Sequence, residues 1–550
     1  MIGRTGDLWW KNAVIYCLDP EMFCDSDGDG DGDLPGVTDR IDYLAGIGVT
    51  CLWLMPFYPS PNRDDGYDIV DHYGVDPRLG TPGDLVELVR TARDRGIRVI
   101  ADLVVNHTSD QHPWFRQARA SRESPYRAFY VWADEPPEGS EDIKPVFPDA
   151  EEGVWSFDEE AGQWFLHHFY HHQPDLNVAN PNVRDAIAKI AGYWLQQGLS
   201  GFRIDAVPFL IETHGLSAEG LEDDPHVVVR DLRAFAGRRL GEHVLLGEVN
   251  LPPDQLLDYV GGDRADGLQM LFAFTVNQAI YLSLTRGEAA PLVRALRDLP
   301  PLPDACQWAQ FVRNHDELTL DKLSEDERRE VFDAFGPEPD MQLFGRGLRR
   351  RLPPMVDGDA ERIHLAYGLL FSLPGTPVLF YGEEIGMAEN LAIEGRMSVR
   401  APMQWSGAAP NGGFSEADPS ALRRPVVDDP AYGPEAVNVA DQRRDPDSLL
   451  NWMERVIRTR KDCPEIGWGT WQVLDASHPA LLALRYDWEG RTLLAVHNLG
   501  GADAAGEIDA EGLDVEALEE LLGRGDHRPR PGGRLEVSLP RYGYRWLRPS

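Results

Sequence analysis

GFRIDAV (201–207) is the stretch from which the architecture can be worked out. It is a short β-branched and aromatic run that carries two charges, Arg203 and Asp205, near its end. Before it stands NVRDAIAKIAGYWLQQG (182–198), a helical pattern with Gly198 placed as a stop. The same unit, helix then apolar run, recurs along the chain. NAVIYCLD (12–19), VTCLWLMP (49–56), RVIADLVVN (98–106), HVLLGEVN (243–250), GLQMLFAF (267–274), CQWAQFVRN (306–314) and PVLFYGEE (377–384) complete the set. Such nearly unbroken apolar strands arise when helices cover both faces of a parallel sheet. Eight of them alternating with helices such as PGDLVELVRTARDRG (82–96) predict an α/β fold, a (β/α)8 TIM barrel. Polar residues gather where the strands end, at Asn106, Asp205, Glu248 and Asp316. In a barrel that face carries the chemistry.

The third and fourth strands are separated by about 95 residues, far more than an ordinary connection needs. The insert (108–176) is rich in aromatics, histidines and acids and reads as a subdomain overhanging the active face. The barrel is therefore expected over 1–107 and 177–446. Residues 405–446, rich in Gly, Pro and Asp, read as a long loop packed on the barrel. From 447 to 550 a helix (LLNWMERVIRTRKDC) precedes the short runs TWQVLDA, LLALRYD, TLLAVHNL, RLEVSLP and YGYRWLR. Bounded by Gly, Asp and Pro, these predict a C-terminal antiparallel β-sandwich.

With 42% hydrophobic and 9% aromatic residues, the 550-residue chain can bury a large core. Fifty-three basic against 91 acidic residues give a net charge of −38. That balance excludes a nucleic-acid binder, which needs a basic face, and docking on anionic lipid. The five cysteines (17, 24, 51, 306 and 463) contain no C-x-x-C pair, and an odd, sparse set suits a reducing cytosol. No charged segment followed by an apolar one opens the chain, and the longest apolar stretch, 365–382, is cut by Pro374 and Pro377. A soluble cytoplasmic protein is expected, with a homo-oligomer left open.

Three strand ends each deliver a carboxylate: Asp205, Glu248 and Asp316. Charge at the end of an apolar strand is costly unless it is paired or used. Alternate residues of a strand point the same way, so Arg203 and Asp205 face one space, and the guanidinium should keep Asp205 ionised as a nucleophile. A second, partly desolvated carboxyl could stay protonated as general acid. That is the carboxylate pair of a retaining glycosidase. Separately, DSDGDGDGD (25–33) sets oxygens at alternate positions with glycines for a tight loop, which suits a hard cation such as Ca2+. It lacks the distal Glu of an EF-hand, and a solvated acidic loop is the alternative reading.

DLVVNH (102–107), GFRIDAV (201–207), LLGEVN (245–250) and FVRNHDE (311–317) resemble, in order, the four signature segments of the α-amylase family of glycoside hydrolases. The resemblance implies Asp205 as nucleophile, Glu248 as acid/base and Asp316 as transition-state stabiliser, with Arg203, His107 and His315 binding sugar. Further stretches, among them DDGYDIVDHYGVDPRLGT (64–81), QPDLNVANP (173–181), DAVPFL (205–210) and APMQW (401–405), are similar to the trehalose-synthase branch. From that likeness Asp64 and Tyr67 would enclose the non-reducing glucose, Arg400 would pair with Asp64, and maltose would be isomerised to trehalose with some hydrolysis. An exo-acting α-glucosidase or an intermolecular transglucosylase on short α-glucosides is the alternative. A non-catalytic amylase-like scaffold is more remote, since the carboxylates are present. GEVNLPP departs from the AEANQWP of that branch near the acceptor sugar. The resemblance also implies structural Ca2+ on the side chains of Asp25, Asp27, Asp29 and Asp33 with the Asp31 carbonyl. A second site would use Asn106, Asp175 and Glu212 with the carbonyls of Phe209 and Leu210. No organic cofactor is expected, and the partner is a small disaccharide.

Overall fold

In the computed structural model, residues 8–211, 224–513, 518–523, 525–530 and 533–549 are described. Eight parallel strands close into a barrel: β1 (Ile15–Leu18), β2 (Cys51–Leu54), β3 (Arg98–Leu103), β4 (Gly201–Ile204), β5 (Val244–Gly247), β6 (Met270–Phe272), β7 (Gln307–Phe311) and β8 (Thr376–Phe380). Each pairs with its neighbours in chain order, and β1 closes on β8 with Ile15 opposite Val378. These are the eight apolar runs read from the sequence, trimmed at their ends. Their residues are almost all buried because side chains fill the barrel on one face and the helix ring covers the other. Gly201 opens β4 at φ +148, where a Cβ would stand 2.0 Å from the Val244 carbonyl oxygen. Tight approach of β4 to β5 therefore requires glycine there.

The helices begin where their caps stand. Thr81 and Asp84 form a reciprocal capping box for Pro82–Asp94, whose Leu85, Leu88, Val89 and Ala92 face inward. Asn180 caps Pro181–Gln196, and Gly198 leaves it at φ +106. Among the described residues no helix is long and apolar enough to cross a membrane.

After β3 the chain leaves the barrel and builds a three-stranded antiparallel sheet from Trp132–Ala133, Gln163–Leu166 and Trp155–Asp158. It returns at the isolated bridge between His107 and Asp175. After β7 a helix (Glu325–Phe335) and a small sheet (Leu318–Thr319, Gln342–Leu343, Gly347–Leu348) stand beside the same face, an elaboration that the sequence reading left out. The 405–446 loop packs on the barrel: Trp405 Nε1 donates to the Phe23 carbonyl at 2.7 Å, and Arg424 reaches Asp19 and Asp65.

Past the helix Leu449–Lys461 a five-stranded sheet packs on a three-stranded one. Leu481, Leu494, Ile508, Val537 and Leu547 fill the space between them, while Leu482, Leu484 and Trp546 on the opposite face join the barrel's core. The five runs expected to be strands are strands. Three more complete the sandwich: Ala504–Asp509, Leu518–Gly523 and Asp526–Arg530. AAGEID and DHRPR lack an apolar alternation, and LEELLG has the composition of a helix; pairing with Arg534–Leu539 and Tyr544–Pro549 overrides that local preference.

Candidate active site

Asp205 follows directly on β4, and Ala206 after it holds φ +48, an uncommon conformation for a residue with a side chain. This turn aims the Ala206 N–H at Glu248, whose Oε2 accepts it at 3.1 Å. Arg203, buried on β4, holds three carboxylates with one guanidinium. Its Nη1 donates to Asp102 Oδ1 at 2.5 Å and to Asp205, and its Nη2 to Glu248 Oε2 at 2.8 Å. Asp102, in the DLVVNH segment, also accepts from Trp53 Nε1 at 2.8 Å and Tyr67 OH at 3.4 Å. The sequence reading passed it over, and its place on β3 one strand from Arg203 was the available signal.

Burial decides the charge states. It pushes Asp205 up to about 6 against the pull of Arg203, so the guanidinium limits the shift without cancelling it. Burial also raises Glu248 to about 7 against Arg203, with Asp205 and Asp316 adding to the rise. Near neutral pH the two carboxyls therefore differ, Asp205 mostly ionised and Glu248 partly protonated. Burial alone would raise Asp316, yet His315, Arg396 and Arg400 hold it well below the usual carboxylate range. Burial pushes His315 itself down to about 4, which leaves the two guanidiniums as the permanent cations.

His315 Nε2 lies 2.8 Å from Tyr67 OH and 3.0 Å from Asp316 Oδ2, and the Tyr67 and His315 rings stack at 5.8 Å. The structure corrects the expected pairing of Arg400 with Asp64. Arg396 is the residue bonded to Asp64, and it also bonds Asp316. Arg400 instead binds Asp65, Asp316 Oδ1 at 2.9 Å and the His315 carbonyl at 2.8 Å. The cause is the short 3-10 helix Gly395–Val399, which carries Arg396 at its start and releases Arg400 after its end. Arg396 thus lines the cavity, whereas Arg400 is fully buried behind it. Gln173, from the insert, donates to Asp64 Oδ2 at 2.8 Å.

Part of this network lines a cavity of about 420 Å³ at the C-terminal end of the barrel, in the size range of small-molecule sites. Asp64, Tyr67, His107, Asp205, Glu248, Asp316 and Arg396 all line it. The buried Nε2 of His107 has no hydrogen-bond partner among the described residues. Phe147 and Phe169 come from the insert, Asn250 and Leu251 follow β5, and Asp321, Lys322 and Arg346 follow β7. The insert and the small sheet after β7 meet beside the cavity. Arg346 Nη2 donates to the Val146 carbonyl at 2.7 Å, and the rings of Phe147 and Phe344 lie 5.5 Å apart.

Over residues 15–332 and 349–469 the chain matches the family described as "Alpha amylase, catalytic domain". The chain belongs to the α-amylase family. This α-amylase-family chain is a glycosidase or transglucosylase. Residues 490–548 match a second family, "Sucrose hydrolase-like, C-terminal domain". The chain is 40% identical to the trehalose synthase of Pimelobacter sp. (strain R48), over 98% of this chain and 96% of that protein. It is 41% identical to the trehalose synthase/amylase TreS of Mycobacterium tuberculosis, over 98% and 90%. Among solved structures, the trehalulose synthase MutB of Pseudomonas mesoacidophila MX-45 is similar at a TM-score of 0.76 and 26% identity, over 98% of this chain and 99% of that one.

The acidic loop after β1 brings three of its four expected side-chain ligands together. The carboxylate oxygens of Asp25, Asp27 and Asp29 lie within 4.8 Å of one another. Local turns fold the loop so: Asp25 accepts from the N–H groups of Asp27, Gly28 and Gly30 at 2.7–3.1 Å, and Asp29 accepts from Asp31 N at 2.9 Å. Three like charges at this separation fit a hard cation. Asp33 does not join them. Its carboxylate caps the helix Leu34–Asp39, accepting from Gly36 N at 2.6 Å and from Ser26. The Asp31 side chain lies 3.6 Å from Arg78. At the second expected site, Asn106 Nδ2 donates to Asp175 Oδ1 at 3.2 Å, and Asp175 Oδ2 is bonded to His168 Nδ1. Both oxygens of Asp175 thus already have protein partners. Phe209 and Leu210 form the turn Val207–Leu210, and Glu212 lies outside the described residues.

Proposed function

We propose that the protein isomerises maltose to trehalose by double displacement in this cavity, with hydrolysis as a side reaction. Asp205 attacks the anomeric carbon of the non-reducing glucose while Glu248 gives its proton to the departing glycosidic oxygen. A covalent glucosyl ester on Asp205 and one free glucose result. The free glucose turns and offers its anomeric hydroxyl to the anomeric carbon of the glucosyl ester. Glu248, now ionised, takes that hydroxyl's proton, and the bond to Asp205 breaks. Two inversions give net retention and an α,α-linked product. Asp316, His315 and His107 bind the sugar's hydroxyls, while Asp64 and Arg396 close the space behind it. Arg203 holds the three carboxylates in register.

The observation that carries this reading is one buried guanidinium shared by two carboxyls whose ionisation differs near neutral pH. The trehalose synthase relatives support maltose as substrate. Contact of the insert with the small sheet after β7 supports retention of the released glucose. Retaining the acceptor replaces a bimolecular capture with an intramolecular one, a gain of up to about 7–11 kcal/mol in ideal cases. Asp25, Asp27 and Asp29 are the proposed ligands of a structural cation such as Ca2+, since none of them lines the cavity. The test is incubation with maltose followed by separation of the sugars. Trehalose as the main product is expected, and glucose alone would replace this reading with an α-glucosidase.

A further inference from the structure

A second cavity, of about 360 Å³, lies away from the catalytic one, between the helix Ile41–Ile47 and the loop 405–446. Its walls include Arg40, Tyr43, Trp405, Ser406 and Arg443 and contain no Asp or Glu. In a chain of net charge −38 that composition contrasts with the surroundings of Arg203 and Arg78. Arg203 alone meets three carboxylates, and Arg78 meets Glu21, Asp31 and Asp76. Among the described residues no carboxylate forms an ion pair with Arg40 or Arg443.

The two guanidiniums flank one aromatic pair. Tyr43 and Trp405 meet edge to face with ring centres 5.1 Å apart. Arg40 sits over the Trp405 ring at 4.3 Å, and Arg443 over the Tyr43 ring at 5.0 Å. Both rings are buried and tied down, Tyr43 OH to Glu384 at 2.6 Å and Trp405 Nε1 to the Phe23 carbonyl at 2.7 Å. Ring faces held in this way fix where the cations stand. The Arg40 side chain is half-buried and also hydrogen-bonds the Cys24 thiol, which fixes its guanidinium at the cavity wall.

We infer that this cavity binds the phosphate group of a small phosphomonoester, held by Arg40 and Arg443. Two guanidiniums offer the forked donors that suit phosphate oxygens, and no acid in the lining repels them. The cavity is larger than a phosphate needs, and Tyr43, Ala409 and Ala440 give the remaining space an apolar wall. A sugar phosphate and free phosphate share the chemistry and differ in their use of that wall.

The test is calorimetric titration of the full chain with a hexose phosphate, inorganic phosphate and uncharged glucose, the catalytic cavity being saturated with a non-hydrolysable glucose mimic. Binding of hexose phosphate at one site per chain is expected, weakened roughly tenfold or more by Arg443→Glu and by Arg40→Gln, as the loss of a charge-assisted hydrogen bond implies. Arg443 is exposed, so Arg443→Glu should keep the parent's melting temperature even if Arg40→Gln does not. Inorganic phosphate binding more weakly would identify the sugar ester as the ligand, and equal binding would identify free phosphate; either supports the phosphate site. Absence of binding by both phosphates at millimolar concentration would overturn the inference. So would unchanged affinity in Arg443→Glu, or glucose binding as tightly as its phosphate.

Discussion

Replacing Glu248 by Gln keeps the shape of the side chain and removes its proton. General-acid assistance contributes about 10²- to 10⁴-fold, or about 2.7–5.5 kcal/mol of barrier. Turnover of maltose should fall by that factor. An α-glucosyl fluoride, whose leaving group departs without a proton, should lose far less. The structure adds a pH dependence. Glu248, raised to about 7 by burial, must be protonated for the first step, so kcat/KM for maltose should fall as pH rises through that value. The loss should be about fivefold from pH 7 to pH 8 and about tenfold per unit beyond. Asp205, raised to about 6, must be ionised, so activity should also fall as pH drops through 6. The profile is then a narrow bell whose two limbs belong to the pair as a coupled system. In Glu248→Gln assayed with the fluoride, the basic limb should vanish and the acidic limb remain. Equal losses on both substrates, or a basic limb that survives the substitution, would refute the assignment of Glu248 as the acid.

Arg396→Ala should raise KM for maltose and relax the preference for short substrates, because the ion pair with Asp64 behind the first glucose is lost; a maltose-to-maltotriose activity ratio reads this. Arg400→Ala should lower stability by about 3–5 kcal/mol, since it strips Asp65 of one of two buried partners, and should also slow turnover, since Asp316 loses a cation; thermal unfolding and maltose kinetics check the two effects. Burial pushes Glu383 up to about 8, above its unfolded value, so its contribution is present at low pH and lost as pH rises from about 4.5 through 8. Glu383→Gln, which imitates the protonated form, should flatten that loss by about 1.4 kcal/mol per pH unit, visible as a higher melting temperature than the parent's at pH 8. Chelation should lower the melting temperature while leaving maltose turnover at low temperature nearly unchanged, because a cation on Asp25, Asp27 and Asp29 binds only the folded chain. An unaltered melting curve would remove the cation proposal.

Much of the barrel was legible because its strands are apolar throughout and its helices carry their caps in the local sequence, as at Thr81 and Asn180. The carboxylates at the ends of β4, β5 and β7 were legible for a related reason: a charge closing an apolar run stands out. Arg203 and Asp205 could be placed on one side of β4 from the twofold period of a strand alone. The sandwich strands Leu518–Gly523 and Asp526–Arg530 were not legible, since pairing with distant strands sets their conformation against a helical or polar composition.

What the order of residues settles here is which groups arrive at the active face, for that follows from local periodicity and from where each strand ends. Which partner each group takes is settled by distance in the folded chain. Arg396 and Arg400 are alike in kind and four positions apart, and a turn of 3-10 helix gives Asp64 to one and Asp65 to the other. Asp33 looks like a cation ligand until the helix after it needs a cap. The split between Asp205 and Glu248 has the same origin. Their charge states depend on burial and on Arg203 reaching both, and electrostatic energy depends on separation in space and on exclusion of water.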